Sequence, residues 1–186
     1  MGTTTLINRL QQSGPQPEAW GLFAELYAGE LLAWARRHGL READAEDVAQ
    51  SILTNIRELL RGYERREGTP FGRWLFRVTA NACRTRLRRL ARETGADGLS
   101  SVVDGTVVSF EELEEAEHHR QLTRRAMTFV EREFDAKRWA AFLALAVEGR
   151  AAADVATELG ITRTAVHLAR FRVVARLREV LRDLLE

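Results

Sequence analysis

The segment Thr69–Arg92 constrains the fold most, because it contains seven arginines and no acidic residue. At about 100° per residue it forms a helix with two different faces. The predicted apolar face consists of Phe71, Leu75, Val78 and Ala82, and the predicted cationic stripe consists of Arg73, Arg77, Asn81, Arg84 and Arg88. Trp74 lies at the edge of this stripe, seven residues before Asn81. Guanidinium groups bind phosphates and an indole stacks on an unpaired base, so the helix suits a nucleic-acid strand. A surface helix with solvated arginines and a core Trp is the alternative.

The rest of the chain is dominated by apolar residues at three- and four-residue spacing, which is typical of helices. This spacing predicts helices over Glu18–His38, Glu42–Leu60, Ser109–Phe134 and Asp135–Val147. Residues 1–17 are expected to form a minor helical turn or a mobile arm. Gly62–Pro70 is expected to be a polar loop that exposes Tyr63, Arg65 and Arg66. No segment alternates apolar and polar residues long enough to require a strand, so the predicted class is all-α.

The charges indicate two modules joined by an acidic linker. Between Glu93 and Glu117 the chain has eight acidic residues and no Lys or Arg. Within that stretch, Gly95–Thr106 has glycines and serines but no sustained helical period. We therefore predict an N-terminal arm (1–17), a helical domain (18–93), a flexible linker (94–108) and a second helical domain (109–186).

The second domain contains the spacing of a helix-turn-helix at residues 152–171. Ala156 allows close approach of two helices, Gly160 permits the tight turn, and Val166 fills the space between the helices. In such a motif the residues that enter a major groove are Thr162, Arg163, Thr164, His167, Leu168 and Phe171. Arginines that could hold phosphates are Arg170, Arg172, Arg176 and Arg178. A packing hairpin with a solvated charged face is the alternative.

Composition and spacing also argue against several function classes. The single cysteine, Cys83, cannot form an internal disulfide and is expected to be a packed thiol. His118, His119 and His167 have no partners at metal-ligand spacing, so we expect no metal and no cofactor. We find no paired catalytic carboxylates, no nucleophile–base arrangement and no phosphate-binding glycine loop, so we expect no enzyme. The chain has no apolar run of membrane-spanning length and no signal-peptide pattern, which predicts a cytoplasmic protein.

Taken together, these segments resemble a bacterial RNA polymerase sigma factor of the extracytoplasmic-function (ECF) type, the two-domain form. DAEDVAQSIL, from Asp44 to Leu53, resembles the segment that docks on the clamp helices of the polymerase's largest subunit. FGRWLFRVTANACRTRLRR, from Phe71 to Arg89, resembles the promoter-melting helix. The last fifty residues resemble the domain that reads the upstream −35 element. The opening segments TTLINRL and EAWGLFAELYAGELLAWARRHGL resemble a group common in planctomycetes.

The resemblance implies a role for each candidate residue. Asp47 and Gln50 would dock on the polymerase, with Asp44 supporting them, although Ser51 stands where the family usually has an acid. The −10 DNA set, which would hold a flipped base and the separated strand, is Arg65, Arg66, Arg73, Trp74, Arg77, Asn81, Arg84 and Arg88. The −35 set is Thr162, Arg163, Thr164, His167, Leu168, Arg170, Phe171 and Arg172. The implied partners are promoter DNA, the clamp helices, the flap of the second-largest subunit and an anti-sigma factor. A stand-alone helix-turn-helix regulator remains the alternative function.

Overall fold

The computed structural model describes residues 5–12, 14, 16–64, 70–93, 115–182, 184 and 185. Over these ranges the regular structure is helical and no strand is present, which confirms the all-α prediction. The contacts define an N-terminal unit that extends to Leu122 and a C-terminal unit of Thr123–Arg182. None of the described helices has the length and apolar character needed to span a bilayer.

The N-terminal unit is a bundle of helices whose starts follow from local chemistry. It contains α1 (Leu6–Gln11), α2 (Pro17–Arg37), α3 (Glu42–Leu60), α4 (Phe71–Glu93) and the first residues of α5 (Glu115–Glu131). The Thr5 hydroxyl accepts the Asn8 N–H at the start of α1. Pro17 occupies the first turn of α2, where no backbone donor is needed. Acids in the first turn of α3 complement its dipole, and the predicted bounds of this helix are confirmed.

Of the two expectations for residues 1–17, a short helix is the one observed. Leu6, Ile7 and Leu10 of α1 are buried, and the helix packs against α2 and α3. The predicted linker, 94–108, and the predicted helix start at Ser109 lie outside the described residues. The domain bounds proposed from the sequence therefore stay a prediction.

Aromatic rings fill the centre of the N-terminal unit. Phe23 and Tyr27 of α2 stack with ring centroids 5.1 Å apart, and Phe71 of α4 meets Tyr27 edge-on at 5.6 Å. Tyr63, which the sequence predicted to be exposed, is buried against Phe71 with centroids 5.3 Å apart. That prediction was wrong because the local sequence around Tyr63 is polar, whereas the ring packs against Phe71 and Trp74 of α4.

The predicted apolar face of α4 is buried at two positions and half-buried at two. Phe71 and Leu75 are buried as expected, but Val78 and Ala82 are only half-buried. The residues that α4 buries are Phe71, Gly72, Leu75, Phe76, Thr79, Ala80 and Cys83. Because α4 packs against both α2 and α3, the side facing α2 is covered as well as the side predicted from the periodicity.

The C-terminal unit has two helices joined by a short turn where the sequence predicts a helix-turn-helix. It contains the end of α5, then α6 (Ala136–Phe142), a π-helical turn (Leu143–Val147), α7 (Ala152–Leu159) and α8 (Arg163–Leu181). The core cluster consists of Ala141, Ala144, Val155, Ala156, Val166 and Ala169. Gly160 ends α7 with φ of +62°, a left-handed conformation that glycine adopts without strain. The Thr162 hydroxyl then accepts the Ala165 N–H at 3.1 Å and starts α8.

Candidate nucleic-acid interface

The cationic stripe of α4 lies mostly at the surface of the N-terminal unit. Arg77, Asn81 and Arg88 are exposed, and Arg73 and Arg84 are half-buried. Arg77 and Arg84 make no ion pair within the described part of the chain, whereas Arg73 and Arg88 have further contacts. Because the helix contains no acid before Glu93, the charged side chains that it contributes to this surface are all cationic.

Trp74 is held at one end of this surface by two neighbouring rings. Its ring centroid lies 4.9 Å from that of Tyr63 and 5.3 Å from that of Phe71, and the side chain is half-buried. The indole is therefore fixed on one side by the aromatic core and accessible on the other. A fixed, partly exposed ring beside free guanidinium groups is suited to stack on an unpaired base. Arg65 and Arg66, predicted for the same surface, lie outside the described residues.

The three predicted docking residues occupy different environments on α3. Asp47, with 71% of its side chain exposed, and Gln50 are accessible, whereas the Asp44 side chain is only 16% exposed. Arg86 of α4 donates to Asp44 Oδ1 through Nε at 2.8 Å and through Nη2 at 2.6 Å. This hydrogen bond is the main reason that the pKa of Arg86 lies above its ordinary value. Asp44 thus connects α3 to α4. Asp47 also lies 3.9 Å from Arg86 Nη2, but its side chain stays exposed, as does that of Gln50.

Sequence reasoning missed Arg86 because it is one of seven arginines in the Thr69–Arg92 segment and nothing local distinguishes it. Its partner lies 42 residues earlier in the chain. The aspartate was visible in the sequence, but its pairing depends on how α3 and α4 cross.

An open groove of about 590 Å³ separates α3 from α4. Its lining includes Asp47 and Asn55 from α3 and Asn81 and Thr85 from α4, with apolar side chains such as Val78 between them. The structure therefore brings together Asp47 and Asn81, which the sequence assigned to polymerase and to DNA respectively. These two assignments stay predictions.

Every residue of the predicted −35 set is exposed in the C-terminal unit. Thr162 caps α8, and the others follow along its solvent side: Arg163, Thr164, His167, Leu168, Arg170, Phe171 and Arg172. Val166, Ala169 and Val173 occupy the opposite, buried side. The whole set is therefore accessible from solvent, and its assignment to the −35 element stays a prediction.

Arg176 differs from the other arginines of α8. Its Nε and Nη2 donate to the two carboxylate oxygens of Glu133 at 2.7 and 2.8 Å, and its Nη1 lies 3.0 Å from Glu179. The bidentate pair raises the pKa of Arg176 and joins α8 to the residues after α5. Arg176 therefore has two carboxylate partners in this structure, and its phosphate-binding role stays a prediction.

Two further groups that the sequence singled out are buried. Cys83 is fully buried, and desolvation raises the pKa of its thiol to about 12, which confirms the packed thiol. His118 at the start of α5 is buried within the N-terminal unit, with Nδ1 3.4 Å from Glu30 Oε2. Within the described ranges, no group of three or more His, Cys, Asp or Glu residues is arranged to hold a metal ion.

Part of the N-terminal unit, including α3 and α4, matches a known family. Residues 23–93 match the family model described as Sigma-70 region 2. The matched segment runs from Phe23 in α2 to the end of α4, so it includes the docking residues and the arginine stripe. The match supports an RNA polymerase sigma factor, with a role in recognition and melting of the −10 element. It also implies binding to core RNA polymerase and to promoter DNA. No curated protein matches the chain.

Proposed function

We propose that this chain is a sigma factor of the ECF type, a dissociable specificity subunit of RNA polymerase that acts in the cytoplasm and is not itself an enzyme. The observation that carries the proposal is the match of residues 23–93 to Sigma-70 region 2, which coincides with the bundle that exposes the arginine stripe and Trp74. The opening segments support a planctomycete-like group within that type.

The N-terminal unit would open the promoter by binding the separated strand. Arg77 and Arg84 would hold phosphates, and Trp74 would stack on or beside an unpaired base. A protein without ATP chemistry can open a duplex this way, because preferential binding of the melted state shifts the equilibrium towards it. Asp47 and Gln50 would fix the unit to the clamp helices of the largest polymerase subunit.

The C-terminal unit would read the −35 element in duplex form. Arg163, Thr164 and His167 would meet base edges, and Arg170 and Arg172 would hold phosphates. The exposure of all five residues on one helix supports this assignment, and the family resemblance adds the polymerase flap as a protein partner. An anti-sigma factor that covers the docking or DNA-binding surfaces would keep such a protein inactive.

Transcription in vitro tests the proposal against its alternative. The purified chain is added to core RNA polymerase with a library of upstream DNA from its native genome, and transcript starts are mapped. A sigma factor confers initiation at specific starts that core enzyme alone does not use. A stand-alone regulator binds duplex DNA without core enzyme and creates no new starts, and that result would contradict the proposal. Asp47→Ala, at an exposed position, is expected to weaken binding to core enzyme without unfolding the chain.

A further inference from the structure

Two large apolar side chains protrude from the solvent side of α8. Phe171 is 71% exposed and Leu168 is 43% exposed, although both residue types are usually buried. They lie three residues apart, so they are neighbours on one face of the helix. The buried core of the unit is formed instead by Val166 and Ala169 from the opposite face. The fold therefore does not use Phe171 and Leu168.

The charge around this pair identifies the kind of partner that fits it. Arg163, Arg170 and Arg172 are exposed on the same helix and make no ion pair in the described part of the chain. The only acid in α8 is Glu179, near the other end, where it pairs with Arg176. An apolar pair surrounded by unpaired cations complements a polyanion that also carries apolar groups. Another copy of the same cationic face would be repelled.

Duplex DNA has such a surface in its major groove. There each base edge presents hydrogen-bonding groups, and the C5-methyl of thymine is the apolar group that a side chain such as Phe contacts. Three residues of helix span about 4.5 Å, and successive base pairs are about 3.4 Å apart. Two side chains at this spacing can therefore meet methyl groups on adjacent or next-adjacent base pairs.

We propose that Phe171 and Leu168 read thymine methyl groups, so that the upstream element of this protein's promoters has thymine at one or two neighbouring positions. The inference rests on the proposed −35 reading by α8. It adds the base type and the two side chains that select it. Arg170 and Arg172 then supply affinity through phosphates, whereas the apolar pair supplies discrimination.

Replacement of thymine by deoxyuridine tests the proposal, because deoxyuridine keeps the hydrogen-bonding edge and removes only the methyl group. The full chain, bound to core polymerase, is used to select upstream sequences from random duplexes. Each thymine of the selected element is then replaced singly by deoxyuridine, and the Kd of the holoenzyme is measured for each duplex. Loss of one buried methyl is expected to weaken binding about fourfold at one or two positions.

The variants Phe171→Ala and Leu168→Ala show whether these side chains make the contact. Both residues are exposed, so truncation is expected to leave the fold intact. Each variant should bind the thymine duplex more weakly and should lose the preference for thymine over deoxyuridine at one position. Val147→Ala is the matched control, since Val147 is 63% exposed but lies in the π-helical turn before α7. It should keep both the affinity and the thymine preference.

Three results would overturn the inference, and they separate it from the proposed function. If an upstream sequence is selected but the wild-type protein binds thymine and deoxyuridine equally, the methyl contact is absent while −35 reading stands. If the preference exists but persists unchanged in both alanine variants, other residues make the contact. If no upstream sequence is selected, the proposed −35 reading fails and the inference fails with it.

Discussion

Gly72→Ala is the most informative perturbation of the N-terminal unit, because one methyl group tests the packing of α5 on α4. A Cβ placed on Gly72 would lie 2.5 Å from His118 Nε2 and 3.1 and 3.2 Å from the adjacent ring carbons. The first of these distances is shorter than any van der Waals contact, so the methyl and the ring cannot both keep their positions.

The imidazole has little room to move away. His118 is 4% exposed, its ring centroid is 5.7 Å from that of Trp34 and 6.2 Å from that of Tyr27, and Nδ1 is 3.4 Å from Glu30. Overpacking of a filled core costs about 1–3 kcal/mol. The helix propensity of alanine over glycine returns at most about 1 kcal/mol, and less in a first turn. We therefore expect a net loss of about 1–2 kcal/mol in the free energy of unfolding.

The measurement is urea unfolding of the full chain followed by tryptophan fluorescence. Gly21→Ala is the matched control, because Gly21 lies in α2 and a Cβ there meets no atom within 4 Å. That variant should be more stable than wild type by about 0.5–1 kcal/mol, since alanine costs less entropy to order in a helix. In a double-mutant cycle, His118→Ala removes the ring, so Gly72→Ala in that background should lose most of its penalty.

The cycle also shows which results contradict the packing argument. A Gly72→Ala variant as stable as Gly21→Ala would mean that the ring moves at no cost. A full penalty in the His118→Ala background would mean that the methyl group meets something other than the imidazole.

Three further predictions concern the N-terminal unit. Trp74→Ala should slow promoter opening roughly 10–100-fold without weakening core binding, since a base stacked on an aromatic ring contributes about 1–3 kcal/mol. Permanganate reactivity of unpaired thymines measures the rate of opening. Trp20→Ala, at an exposed indole of α2, is the control. Normal opening by the Trp74 variant would refute the stacking role of Trp74. Cys83 should resist alkylation at pH 8 until the chain unfolds, because burial raises the pKa of its thiol from 9.0 to about 12; rapid labelling of folded protein would contradict this. The raised pKa also means that the stability contributed by the neutral thiol is present below pH 9.0 and is lost as the pH rises towards 12, so Cys83→Ala should flatten that decline. Asp44→Arg and Arg86→Asp should each lower the stability, and the double variant, which exchanges the two charges, should restore it. If binding to core polymerase returns in the double variant, Asp44 acts by positioning α4. If binding stays lost, Asp44 touches polymerase directly.

The features that could be predicted from the sequence are those encoded within a few residues. The bounds of α3 follow from its acidic start and its apolar spacing, and both are readable without any other part of the chain. The turn between α7 and α8 can also be read locally, because Gly160 allows a left-handed conformation and Thr162 caps the helix that follows. The exposed side of α8 then follows from the helical period once Val166 is recognised as buried.

Errors occurred where burial depends on a second or third helix. Val78 and Phe76 are both apolar, and periodicity alone favoured Val78 for the core. The structure buries Phe76 instead, with its ring centroid 5.4 Å from that of Trp34 in α2 and 5.3 Å from that of His38, the residue after α2. Because two helices cover α4 from different sides, the width of its buried face cannot be inferred from α4 alone.

The sequence by itself determined the helical class, the position of the Gly160 turn between α7 and α8, and which helices carry positive charge. Hydrogen bonding within a helix and the backbone freedom of glycine are local properties, so they can be recognised in short segments. Only the tertiary structure decided which charges are available to partners. Asp44 meets Arg86, Glu133 meets Arg176, and Glu30 meets His118, across 42, 43 and 88 residues respectively. These pairings depend on the angles and separations at which helices pack, and those are set by the complementarity of whole helix faces.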